Sequence, residues 1–183
     1  MKNYQSKADT YRAKCGTEVK YIKQPDAIIL KSQRDVALSA GENNDCVVHA
    51  VAHAFEFGYH KAHSFCKDLF NREKGKGVFG FSKLGRLHTK QYTDFASKYL
   101  TRSKIKKVDS SNTYRVRCEW SGEMRDKKRN MTLKSFLKKY PEGRYIVGFY
   151  NHAIAVIDGV VVGNGRWDAN RLRRPIEAAY QVS

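Results

Sequence analysis

From Asp45 the chain carries apolar residues at helical spacing. Val47, Val48, Val51, Ala52 and Phe55 share one wide face. Asn44 or Asp45 is the expected N-cap and Gly58 the stop. A second helix is predicted over about 60–72, with Ala62, Phe65, Cys66, Leu69 and Phe70 inward. A third spans about 89–100, with Tyr92, Phe95, Ala96, Tyr99 and Leu100 on one side. Between them, "REKGKGVFGF" reads as a loop. Its "GKGVFG" lacks the spacing and the following Ser/Thr of a phosphate loop.

The period then shortens. "SKIKKVD" is strand-like, and in "TYRVRCEW" (113–120) Tyr114, Val116, Cys118 and Trp120 alternate with Arg115 and Arg117. That predicts one apolar and one basic face, followed by a polar loop over 121–130. Thr132 caps a short helix, "LKSFLKKY". The remainder reads as strands: 144–150, 152–157, 160–162 and 175–182, with Asp158-Gly159 a hairpin turn. Upstream, "EVKYI" (18–22) and "AIILK" (27–31) are candidate short strands. Helices first and strands last make an α+β plan, with helices packed on a C-terminal antiparallel sheet. Residues 1–40 form an N-terminal extension packed on a domain at 41–183, which has a basic insertion at about 101–130.

Composition narrows the class. The chain has 183 residues, 41% of them hydrophobic, with 11 Tyr and 9 Phe: enough for a core. The apolar stretch 145–165 is β-branched and broken by Asn151, His152 and Asp-Gly, so a membrane span is rejected. The N-terminus has no apolar core of a secretory signal, and Cys15, Cys46, Cys66 and Cys118 are too dispersed for a disulfide framework. A monomer of the reducing cytoplasm is expected.

Charge adds a partner. Lys plus Arg number 35 against 18 acids, a formal +17. Such a surface attracts nucleic acid or another polyanion. The candidates are Lys104, Lys106, Lys107, Arg115, Arg117, Lys127, Lys128 and Arg129, interleaved with Tyr114 and Trp120, then Arg171, Arg173 and Arg174. A solvated charged surface is the plainer alternative.

The chemistry-bearing stretch is "NNDCVVHAVAHAF" (43–55). Cys46 falls in the first turn of its helix, where unpaired N–H groups and the dipole favour a thiolate. A thiolate nucleophile needs a base, and His152 is the odd polar residue at the head of an apolar strand. If the hairpin loop is two residues, Ala153 opposes Asn164. If it is three residues with a bulge at Gly159, His152 pairs with Asn164, which can then hold the imidazole. Asp-Gly suits either.

These motifs, with "TLKSFLKKYPEGRYIVGFYNHAIAVIDGVVVGN" about a hundred residues later, resemble the papain-like cysteine peptidase superfamily. The resemblance is closer to the small papain-like domains of phage and bacterial genomes, related in plan to bacteriocin-processing peptidases. It covers roughly residues 43–182. It implies a papain-like fold in which Cys46 is the nucleophile, His152 the general base and Asn164 the orienter, acting on a protein or peptide substrate without a cofactor. The Cys46 N–H would supply part of the oxyanion hole. Papain relatives carry an oxyanion glutamine about six residues before the cysteine. Here that position is Ala40, leaving Asn43 or Asn44 as substitutes. Losing such a donor costs about 10²–10³ in rate.

Two rivals remain. Cys46, His49 and His53, followed by His60, His63 and Cys66, have ligand-like spacing for zinc. Cys66 is already explained by packing, and no metal is expected. The other rival is a nucleic-acid-binding protein on a catalytically inactive scaffold.

Overall fold

The computed structural model describes residues 41–100, 105–162 and 171–183. The candidate strands at 18–22 and 27–31, and the 1–40 extension, lie outside the described residues. In chain order the elements are α1 (Cys46–Ala54), α2 (Tyr59–Phe70), 3-10 turns at Phe81–Arg86 and Lys90–Tyr92, and α3 (Thr93–Tyr99). They continue with β1 (Ile105–Val108), β2 (Ser111–Arg117), β3 (Met124–Asn130) and α4 (Leu133–Lys139). The last are β4 (Arg144–Phe149), β5 (His152–Ile157), β6 (Val160–Val162), a 3-10 turn at Arg171–Arg173, and β7 (Ala178–Val182). The class is α+β.

One antiparallel sheet runs in the order β1-β7-β4-β5-β6. Its central strands β4 and β5 are apolar on both faces, and each face of the sheet has its own core. Ile146, Ala153, Ala155, Val162 and Tyr180 face α1, α2 and α3. Tyr145, Val147, Ile154, Val156 and Ala179 meet α4 residues Leu133, Phe136 and Leu137, together with Leu172 and Ile176. Helical layers therefore cover both sides of the sheet. This explains why β4 and β5 read as near-continuous apolar runs.

α1 is buried almost all round, from Val47 to Ala52. It approaches the sheet where the side chains are smallest: Ala153, Gly148 and Ala178 lie side by side across β5, β4 and β7. The Phe81 ring fills the space above Gly148, where an added Cβ would fall 2.5 Å from the ring. Thr132 caps α4 as expected, its hydroxyl accepting from the Ser135 N–H.

Three sequence expectations change. The loop expected at 121–130 contains strand β3, paired to β2 in a separate two-stranded sheet. Tyr114 and Trp120 do not face a core: they are 43% and 98% exposed, and β2 ends before Cys118. The final strand is shorter than 175–182, because Pro175 forms only an isolated bridge to Thr132. Among the described residues no helix is long and apolar enough to cross a membrane. The apolar stretch starting at 145 is folded into β4, β5 and β6.

Candidate active site

The chain enters α1 through a left-handed residue, Asn44 (φ 54°), a conformation that Asn tolerates better than most side chains. Asp45 takes the N-cap position, but its side chain makes no capping hydrogen bond. The carboxylate instead meets His49 Nε2 at 3.0 Å and accepts from the Tyr59 hydroxyl at 3.1 Å. The turn after this cap presents Cys46, half-buried, at the sheet.

The Cys46 sulfur meets β5 at its first peptide. The Ala153 backbone hydrogen-bonds the thiolate form, as do the backbones of Val47 and Cys46. The Ala153 nitrogen is one peptide bond from His152, about 2.4 Å from its Cα by standard geometry. The sulfur and the His152 backbone thus share one corner. His152 pairs with Phe149, on the face that Val147, Ile154 and Val156 also occupy. Arg174 lies over the Phe149 ring, 5.2 Å from its centroid, and donates to the Tyr150 carbonyl at 2.7 Å.

The electrostatics differ from those of a thiolate poised by a helix N-terminus. Burial pushes the Cys46 thiol up, the backbone hydrogen bonds offset part of this, and the Asp45 carboxylate adds to the rise. His152 is depressed to about 4, first by burial and then by the positive charges of Arg174 and Arg171. Thiol and imidazole are both neutral at rest, with Cys46 on the α1 side of the sheet and the His152 Cβ on the α4 side.

No protein-family model, curated protein or solved structure matches the chain.

The remaining expected residues are distributed as follows. Asn164 lies outside the described residues, as does Lys104. The hairpin that leads to Asn164 has a two-residue loop: Ile157 pairs with Val160 and Ala155 with Val162. Asp158 and Gly159 both have positive φ, as a type I′ turn requires. The three-residue loop that would set His152 opposite Asn164 is not formed, because a turn of this hand matches the strand twist without a bulge. Asn44 donates its side-chain amide to the Gly75 carbonyl at 3.2 Å, and the backbone carbonyl of Asn43 accepts from Arg72 Nη2 at 3.3 Å. Both asparagines hold the approach loop to the turn after α2.

The histidines and cysteines with zinc-like spacing point to separate partners. His49 turns to Asp45, His63 turns to Glu42 and Arg72, and Cys66 is fully buried in the core. No group of three potential ligands that could hold a metal is assembled among the described residues. The basic candidates separate too. Lys106 and Lys107 are exposed on β1, and Arg115, Arg117, Lys127, Lys128 and Arg129 lie on the β2–β3 ribbon. Arg171, Arg173 and Arg174 belong to the segment near His152.

A buried knot in the segment leading into α1 has no signature in the sequence. Glu42 Oε2 receives Arg72 Nη2 at 2.8 Å and the Gly75 N–H at 3.1 Å. Glu42 Oε1 lies 2.9 Å from His63 Nε2, which also meets Arg72 Nη1 at 2.8 Å. Burial pushes the Glu42 carboxyl up, but Arg72, Gly75 and His63 together hold it below the usual range. Asp45 and His49, four apart at a helix start, do have the spacing of a side-chain pair.

Proposed function

We propose that the chain is a papain-like cysteine hydrolase in which Cys46 and His152 carry out acyl transfer. The observation that carries this reading is the packing of Cys46 against the head of β5, beside Ala153, whose backbone favours the thiolate. For this chemistry the His152 imidazole, whose Cβ lies on the α4 face of the sheet, must reach round the head of β5 to the sulfur. A neutral imidazole suits the base role. It takes the thiol proton as sulfur attacks the carbonyl, then protonates the departing amine as the thioester forms. Water, deprotonated by the same imidazole, attacks the thioester and releases the acid. The Cys46 N–H, in the helix's first turn, is available to the developing oxyanion.

The depressed basicity of His152 and the commitment of Asn44 to Gly75 favour a slow enzyme. Peptide or isopeptide hydrolysis is the reaction proposed, with deamidation drawing on the same groups. Asn164 serves as orienter if the return strand shifts register after Val162.

An activated ester tests the pair without knowledge of the substrate. With p-nitrophenyl acetate at pH 8, mass spectrometry should locate an acetyl thioester on Cys46. His152→Ala should slow its formation by about 10²-fold or more, the usual scale of a lost general base. Asn164→Ala should slow it less. Acylation confined to Cys118, or unchanged by His152→Ala, would remove the hydrolase reading.

A further inference from the structure

The β2–β3 ribbon takes no part in the main sheet. Its ladder runs from Ser111↔Asn130 to Arg117↔Met124 and continues into the turn, where the Cys118 N–H reaches the Glu123 carbonyl at 2.8 Å. All of β3 is exposed, as is most of β2. A two-stranded ribbon with no buried face is marginally stable in water. Its root is firmly held. Asp109 accepts from Lys139 at 2.9 Å and from the Ser111 hydroxyl at 2.7 Å. The Tyr140 hydroxyl donates to the Asp109 carbonyl, and the buried Met131 N–H to the Ser110 carbonyl. The result is a stiffly rooted arm with Trp120, 98% exposed, in the turn at its tip.

Strand alternation sorts its side chains. Tyr114 and Val116 share a face with Arg125, Lys127 and Arg129, while Arg115, Arg117 and Lys128 lie on the other face with Asp126. The two strands carry six cations and a single acid, Asp126, which lies 3.8 Å from Arg115. A platform for stacking a single strand would concentrate charge on one face. Cations on both faces suit an element with phosphates on either side.

We propose that the ribbon docks in the major groove of double-stranded DNA. A pair of strands about 4.8 Å apart fits a groove about 12 Å wide, and seven residues span about 24 Å, or about seven base pairs. Lys127 and Lys128 point to opposite groove walls, and Trp120 leads at the tip. The deep, narrow major groove of A-form RNA excludes such an element. The inference goes beyond the hydrolase reading and uses none of its residues.

Fluorescence anisotropy of a labelled 20-base-pair duplex, with the full chain and a salt series, tests it. The wild type should bind with a log Kd against log salt slope of magnitude about 4. Lys127→Glu/Lys128→Glu should weaken binding at least about tenfold at 0.1 M salt and lower that magnitude by about 2. Lys61→Glu/Lys67→Glu on exposed α2 positions makes the same change in net charge and should alter affinity about twofold at most. Methyl green, a major-groove ligand, should compete, and netropsin, a minor-groove ligand, should not. The proposal is overturned by equal losses in both double variants, by binding of single-stranded DNA or heparin as tight as that of the duplex, or by no binding at 0.1 M salt.

Discussion

At Cys46 two effects compete, and burial prevails. The start of a helix favours a thiolate, and the Ala153, Val47 and Cys46 backbones all contribute to that preference. Desolvation outweighs them, and the Asp45 carboxylate adds a further penalty. Sequence reading supplied the helix start but not the depth of the sulfur, which depends on two alanines and a glycine about a hundred residues away. Cys118 shows the opposite balance. In an open turn, hydrogen bonds from the Ser121 backbone and hydroxyl, then from the Trp120 backbone, lower its thiol. Iodoacetamide at pH 7.5, read by peptide mass spectrometry, should therefore modify Cys118 well before Cys46, with Cys46 gaining only above about pH 9. Faster labelling of Cys46 at neutral pH would show an ion pair in place of the neutral pair described above.

At the level of elements, legibility followed burial. Helices α1, α2 and α4, and strands β4 and β5, announce themselves because each presents an apolar face or run to a core. Strand β3 has no buried face, so "MRDKKRN" carries no alternation of apolar and polar residues and reads as a loop. Tyr114 and Trp120 misled for the same reason: their spacing is that of a strand, but nothing packs on it. The hairpin register escaped because Asp-Gly permits two loop lengths, and the left-handed pair at Asp158 and Gly159 resolves the choice as far as Val162. The docking of α1 on Ala153 and Ala155 makes a separate claim. Ala155→Leu puts three extra carbons at a fully buried position under α1 and should cost about 1–3 kcal/mol in urea unfolding. It should also alter Cys46 alkylation by displacing α1 from the sheet. Wild-type stability and reactivity in that variant would contradict the close approach.

Over the whole molecule, the buried ionisable groups set a pH window. The Glu42 and Asp45 carboxyls lie below their ordinary values in the fold, so their stabilisation is present above about pH 4 and lost as pH falls. The imidazole of His152 resists protonation until about pH 4, whereas the unfolded chain takes that proton near 6.5. Its share therefore begins to erode below about 6.5. The raised thiols of Cys46 and Cys66 act at the other end, where the unfolded chain ionises first and stability falls above about pH 9. Urea unfolding should give a plateau at about pH 7–8.5 with losses on both sides. A midpoint unchanged between pH 7 and 4.5 would contradict the buried, neutral His152, and one unchanged between pH 4.5 and about 3 would contradict the buried carboxylate knots. The sheet order has a further consequence for a chain made from its N-terminus. Strand β7 occupies the slot between β1 and β4, although it is the last of these to be synthesised. Until residues 178–182 emerge, β1 has no neighbour in the main sheet and β4 lacks one of its two, while the β4–β5 hairpin that meets the Cys46 corner can already close. The nascent protein thus assembles its candidate chemistry before it seals its sheet, and it exposes two strand edges to any other chain in the interval.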